Sequence, residues 1–349
     1  MRTPEAREGT REVRATAGAP RRPKGLSRPV SVVVAAAVCA IAVTAAVAAP
    51  DRAGRTDRAP AAGAVAGAKS ADAVTADAAV AAKCADPEAS LRPSGVDGPA
   101  VQRIKNRGRL IAGVDQDSYR WGYRDPATGE LSGFDIDLVR AIAKDILGDA
   151  DKVTFLTIPT SQRIPALEKG KVDIIARTMS ITCDRIRQVA FSTAYFEAGL
   201  QLLAPKGSSI KAFDDTLKGK KVCAAKGATA ETVLKDEPHG ASLLAVPNQL
   251  DCLVRVQLGQ ADAVLTDNAL AAGQVAQDRS LELVGQRFTD APYGVAMNLK
   301  DEDLVRRVNK VLEDYRGGGD GSPWMRAYRN WLALGLKGIT APPAPKYRD

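Results

Sequence analysis

The feature that most constrains this chain is an alternation of apolar runs and amphipathic segments that starts near Arg109 and starts again near Lys220. "RLIAGV" (109–114) has the composition of a buried strand, and "VTFLTI" (153–158) is a second. Between them "FDIDLVRAIAKDIL" (134–147) spaces Leu138, Ile142 and Ile146 by four and is stopped by Gly148, as an amphipathic helix should be. "SQRIPALEKG" follows as helix and loop, then "VDIIA" (172–176) as a third strand. Strand, helix, strand, helix, strand predicts a parallel sheet with right-handed crossovers.

The second run repeats the scheme. "KKVCAAKGATAETVLKD" (220–236) reads as strand, small-residue turn and helix; "DCLVRVQLGQADAVLTDNALAAG" (251–273) reads as helix, Gly turn, strand and a loop at the strand's carboxyl end. "ALEKGKVDII" and "RVQLGQADAV" both place a Gly after a short amphipathic helix and an Asp before the next strand, one local device used twice. With 349 residues, 45% of them hydrophobic, the chain has enough apolar material for two modest cores, and two α/β lobes facing each other across a cleft are expected.

Open α/β sheets bind ligands beyond the carboxyl ends of their strands, so the polar and aromatic residues there are the site candidates. They are Asp117, Tyr119, Arg120 and Trp121 after the first strand, Arg177, Thr178, Ser180 and Arg185 after the third, Lys226 and Thr229 after the fourth, and Asp267 after the fifth. Cations, hydroxyls and one carboxylate in such a cleft match a zwitterion. Arg185 would grip an α-carboxylate with two parallel hydrogen bonds, helped by amides at the helix start near Thr229. Asp267 would take the α-ammonium, and Trp121 or Tyr119 would supply an apolar wall. Arg177, with Arg120 and Lys226 as further cations, would favour an anionic side chain; the alternative for Arg177 is a pairing with Asp115 or Asp173 that only shapes the wall.

Ahead of this part lies a targeting segment. Eight Arg or Lys and three Glu in residues 1–29 precede an apolar run, Val30 to Ala49, which reads as an export signal or a membrane anchor with its basic end cytoplasmic. Cleavage near "AVAA" (46–49), retention as an anchor, and lipidation at Cys39 are the three alternatives. Residues 50–83, dominated by Ala and without aromatics, should be a flexible tether. Removing residues 1–49 lowers the formal charge from +8 to +3, so the basic balance belongs to the targeting segment and gives no support to a nucleic-acid partner.

Export implies an oxidising compartment, and the four cysteines beyond the apolar run allow three pairings. Cys223 with Cys252 is favoured because both fall in the second lobe, which leaves Cys84 with Cys183; inert thiols are the alternative. A metal site is not expected, since the one histidine, His239, sits in a Pro-Gly loop and no close Cys pair exists. No Ser or Cys has a base beside it and no acid/base pair is evident, so a binding protein is expected rather than an enzyme, with no cofactor.

Four blocks carry a resemblance: "GELSGFDIDLVRAIA", "ALEKGKVDIIARTMSITCDRIRQVAFSTAYF", "KGKKVCAAKGATAE", and "DAVLTD" followed by "FTDAPYGVAM". In this order and spacing, over about Leu91 to Leu334, the chain resembles the extracellular solute-binding proteins, family 3, of ABC transporters for polar amino acids, especially the glutamate-binding type of actinobacteria. The resemblance implies a two-lobed α/β fold of the periplasmic-binding-protein-like kind (type II), with the ligand cleft between lobes joined by two hinge crossings. Its implied parts are residues 84–203 and 290–335 for lobe 1, 204–289 for lobe 2, and 336–349 as a C-terminal tail. It implies Arg185 and Thr229 at the α-carboxylate, backbone and hydroxyl contacts from Thr178 and Ser180, and Asp267 at the ammonium; "QDSYRWGY" departs from the family's pattern, which leaves the flanking aromatic between Trp121 and Tyr119. The function implied is capture of L-glutamate, with L-aspartate second, outside the membrane by a monomer that delivers it to the permease subunits of an ABC importer. Glutamine or another polar amino acid, and a tethered amino-acid-sensing ectodomain, are the alternatives.

Overall fold

The computed structural model describes residues 84–349; the export segment, tether and Cys39 alternatives concern residues outside that range. Helix α1 (Pro99–Arg107) leads into β1 (Leu110–Val114), a small antiparallel meander of β2 (Asp117–Ser118), β3 (Gly122–Arg124) and β4 (Leu131–Ser132), then α2 (Phe134–Leu147) and β5 (Val153–Thr157). Next come α3 (Arg163–Glu168), β6 (Ile174–Ile175), α4 (Cys183–Ile186), β7 (Ala190–Phe191) and β8 (Phe196–Ala198). The second lobe carries β9 (Leu200–Pro205), β10 (Lys221–Ala225), α5 (Thr229–Asp236), β11 (Ser242–Val246), α6 (Gln249–Gln257), β12 (Ala263–Asp267), α7 (Asn268–Gln277) and β13 (Leu281–Val284). The chain then returns through β14 (Ala291–Tyr293) and β15 (Ala296–Met297) to α8 (Glu302–Arg316) and α9 (Pro323–Ala327).

Leu138, Ile142 and Ile146 are buried on one stripe of α2, and Gly148 ends that helix at φ 74°, a left-handed conformation that costs a glycine little. The parallel sheet expected for each lobe proves to be mixed. The order is β5-β1-β6-β15-β7 in the first sheet and β11-β10-β12-β9-β13 in the second. In each, three parallel strands are followed by an antiparallel one: β15 against β6, β9 against β12. The physical reason is the connectivity. A strand arriving from the other lobe enters at the cleft, where the parallel strands end, so it must run against them.

The crossings β8 and β14 pair antiparallel, Phe196 opposite Tyr293 and Ala198 opposite Ala291, and form the hinge. The implied boundary after residue 203 falls inside β9, which lies wholly in the second sheet, so the first crossing ends before Leu200. A second departure is that no loop follows β12: the Ala-rich segment from Asn268 has strong helix propensity and continues directly as α7. Residues 346–349 pack back on the start of the domain. Tyr347 bridges Ser90, and Arg348 N–H donates to Ser90 O at 3.0 Å.

The larger core belongs to lobe 1 and is aromatic, with Trp121, Phe134, Phe196, Tyr293 and Trp324 joined in one network of ring contacts. Lobe 2 is filled by aliphatic residues such as Leu202, Val222, Leu234 and Leu265. Both disulfides pair as expected: Cys223 with Cys252, Cα atoms 5.5 Å apart, fixes α6 to β10, and Cys84 with Cys183, at 5.4 Å, fixes the first described residue to α4.

Candidate functional site

Beyond β6 the chain leaves the first sheet as Ala176, Arg177, Thr178. Gly113 of β1 is level with Ile175 of β6, and two residues further along both strands Asp115 and Arg177 face each other. Opposite charges at matched strand ends pair: Arg177 Nη2 lies 2.9 Å from Asp115 Oδ2, with both residues buried. Arg177 also donates to Thr160 Oγ1 at 2.9 Å and, across the cleft, to Asn248 Oδ1 at 3.1 Å. The guanidinium expected to select an acidic side chain is therefore committed to Asp115, the wall-shaping alternative.

Thr178 adopts φ 42°, outside the usual range for a β-branched residue, and is held there by Asp135 at the start of α2. Asp135 Oδ2 accepts from Thr178 N–H at 3.0 Å and Oδ1 accepts from the Tyr195 hydroxyl at 2.8 Å. Burial pushes the Asp135 carboxyl up to about 7, with those two hydrogen bonds opposing the rise. Ser180 lies beside the hinge, bridged to Tyr293, and its carbonyl accepts from Arg185 at 2.7 Å.

Arg185 comes from α4, whose first turn is capped by the Thr182 hydroxyl. Its second Nη donates to Gly227 O of lobe 2 at 3.1 Å. Arg163, the first residue of α3, reaches the same oxygen at 3.2 Å and also donates to the carbonyls of Thr160 and Arg177. Both guanidiniums are buried, and neither has a carboxylate within ion-pair distance among the described residues. Burial lowers both pKa values, and for Arg163 the neighbouring Arg185 and Arg177 lower it further.

Asp267, the last residue of β12, is buried and its pKa is raised by desolvation, against the pull of Tyr293, Arg185 and Arg163. Oδ2 accepts from the Tyr293 hydroxyl at 2.8 Å, while Oδ1 is sealed from solvent without a hydrogen-bond partner among the described residues. A cavity of about 280 Å³ opens between the lobes, lined by Thr160, Ser161, Arg163, Met179 and Arg185 from one side and Lys226, Gly227 and Glu231 from the other. Asp267 does not line it.

Of the expected site residues, Arg185 and Lys226 line the cavity; Ser180 is joined to Arg185 through its carbonyl, and Thr178, Ser180 and Asp267 do not line it. Thr229 begins α5, half-buried, but does not line the cavity, and the N–H of Gly227 just before that helix is taken by Glu231 at 2.7 Å. Besides Arg177 and Thr229, three further expected residues lie away from the cavity. Trp121 is buried in the aromatic core and donates through Nε1 to Ala269 O at 3.1 Å, because a large apolar ring at the lobe junction is more stable packed than exposed. Tyr119 stacks edge-on against Tyr123 and lies against α7. Arg120, at φ 72°, turns to a separate groove lined by Leu334, Gly335 and α7. Missing from the expectations were Arg163, Tyr293 and Asp135, whose carboxylate clamps Thr178. Arg163 follows the second strand, and the strand-end rule that selected the other candidates would have found it there.

A hinged pair of α/β lobes that buries two arginines and an aspartate at facing strand ends defines a protein that closes on a small solute. The chain belongs to the bacterial extracellular solute-binding proteins, family 3, whose profile matches residues 110–332. The ABC transporter glutamine-binding protein of Bacillus subtilis (strain 168) is 38% identical over 229 residues, 66% of this chain and 83% of that one. The L-glutamate/L-aspartate-binding protein of Pseudomonas aeruginosa is 28% identical over 243 residues, 66% and 79% of the two chains. Among solved structures, an ancestral arginine-binding protein bound to glutamine matches with a TM-score of 0.60 at 38% identity, covering 65% of this chain and 98% of that one. The periplasmic-binding-protein-like two-lobed fold is thereby established, and among the described residues no helix is long and apolar enough to cross a membrane.

Proposed function

We propose that this protein captures an acidic amino acid, L-glutamate first and L-aspartate second, outside the membrane and delivers it to an ABC importer. One observation carries the choice of an acidic ligand. Arg163 and Arg185 line the same cavity, both buried, and among the described residues neither has a carboxylate within ion-pair distance, Asp267 acting on them only from further away. A buried cation without its anion is costly, and two of them call for two anionic groups on the ligand. In this reading Arg185 takes the α-carboxylate, Asp267 the α-ammonium, and Arg163 the side-chain carboxylate in place of Arg177.

A second reading, a glutamine-binding protein, is favoured by the neutralisation of Arg177 and by the Bacillus subtilis relative named above. Calorimetric titration with L-glutamate, L-aspartate, L-glutamine and L-arginine separates the two. Glutamate binding at least tenfold tighter than glutamine supports the acidic reading, and the reverse order replaces it with the second.

A further inference from the structure

The two hinge strands differ in what they carry into the site. Tyr293, the last residue of β14, is fully buried and touches three parts of the molecule. Its main chain lies against the lobe 1 ligand loop: Ile181 N–H donates to the carbonyl of the preceding Pro292 at 2.8 Å, and the following Gly294 N–H donates to Met179 O at 3.1 Å. Across the hinge it stands opposite Phe196 of β8. Its hydroxyl reaches into lobe 2 and donates to Asp267 Oδ2 at 2.8 Å, leaving Oδ1 buried and unpartnered among the described residues.

From this junction we infer that Tyr293 is the positioning residue for the ammonium end of the ligand. Its hydroxyl occupies one oxygen of Asp267 and leaves the other free to receive a cationic amine. Because its two chain neighbours, Pro292 and Gly294, are tied by their backbone to Ile181 and Met179, the lobe 2 acid is oriented by the hinge and by lobe 1. The inference rests on the reading that Asp267 binds the α-ammonium. It does not depend on which side chain the ligand carries.

The hydroxyl also affects when Asp267 is ionised. Burial raises the Asp267 pKa, and the groups facing it, the Tyr293 hydroxyl from the hinge, Arg185 from α4 and Arg163 from α3, all lower it. Losing the hydroxyl removes one of these, so the carboxylate would protonate at a higher pH. A residue that only filled the core would not move that profile.

The test uses the full chain with Tyr293→Phe, Asp267→Asn and the double variant, titrated with L-glutamate and with L-glutamine from pH 4 to 9. Tyr293→Phe is expected to weaken both ligands by about tenfold or more, and by the same factor, because the ammonium is common to them. Its affinity should fall at a higher pH on acidification than that of the parent. The double variant should bind no worse than Asp267→Asn alone. Additive losses, an unmoved pH profile, or unchanged affinity would overturn the inference. If Tyr293→Phe does not fold, 3-fluorotyrosine at position 293 keeps the ring and strengthens the donor; the fall in affinity should then move to lower pH, and an unmoved profile counts against the inference. A parent chain that binds no amino acid overturns the functional reading instead, so the two failures are distinguishable.

Discussion

Arg163 and Arg185 donate to one and the same oxygen, the carbonyl of Gly227, at 3.2 and 3.1 Å. They come from different helices of lobe 1 and meet on lobe 2, so the two cations act both at the cavity and at the contact between lobes.

Arg185 is assigned to the part common to all amino acids and Arg163 to the acidic side chain. Arg185→Ala is expected to abolish detectable binding of every amino acid, since removing one partner of a buried charge pair costs about 3 to 5 kcal/mol. Arg163→Gln should weaken L-glutamate by about 2 kcal/mol more than L-glutamine. Equal losses for both ligands, measured by calorimetry, would return Arg163 to a purely structural role.

Arg177 is assigned to the scaffold. Arg177→Ser leaves Asp115 buried without its cation and should destabilise the protein by about 3 to 5 kcal/mol while lowering glutamate and glutamine affinity alike. Arg177→Met combined with Asp115→Leu should recover much of that stability. Urea unfolding of the single and double variants checks both statements.

Gly227 has φ 81°, and a Cβ there would lie 2.8 Å from Ser161 Cα across the cleft. Gly227→Ala should therefore act as a wedge, with both lobes folded but held apart. Small-angle scattering in saturating ligand should show a larger radius of gyration than for the parent, and binding should be weaker; full compaction on ligand addition would show that the loop yields.

Reducing or removing the disulfide between Cys223 and Cys252, 29 residues apart, should cost roughly 2 to 4 kcal/mol. Thermal unfolding of the Cys223→Ser/Cys252→Ser variant gives the value, and an unchanged midpoint would mean that α6 and β10 hold together without it.

Asp135 sets a pH dependence whose sign follows from its raised pKa. The folded state prefers the neutral acid, so this stabilisation is present at pH below the unfolded value of 3.8 and is lost as pH rises through about 7. Between pH 5 and pH 8 the parent should lose on the order of 3 kcal/mol relative to Asp135→Asn. Denaturant titrations of both proteins at pH 5 and 8 measure the difference, and parallel curves would argue against the shift.

The α2 stripe, the repeated Gly-Asp device and the cysteine pairing were legible because each depends on local spacing or on a count. A side chain's place was legible where it follows directly from a strand end, as for Asp267, the last residue of β12. It was not legible where the outcome depended on a competition between neighbours. Arg177 and Asp115 are both strand-end residues, and only the register of β1 against β6 shows that they neutralise each other. Trp121 could have faced solvent or core, and the core was decided by Phe134, Phe196 and Tyr293, which lie far apart in sequence. Tyr293 itself gave no signal, since its role requires knowing that β14 passes beside Asp267.

The bond between Cys84 and Cys183 also has a mechanical side. It places the beginning of the described chain two residues from Arg185, on the short helix that bears the guanidinium. Any pull transmitted along the preceding polypeptide would enter the folded body at the cleft wall, with no compliant segment between the point of load and Arg185.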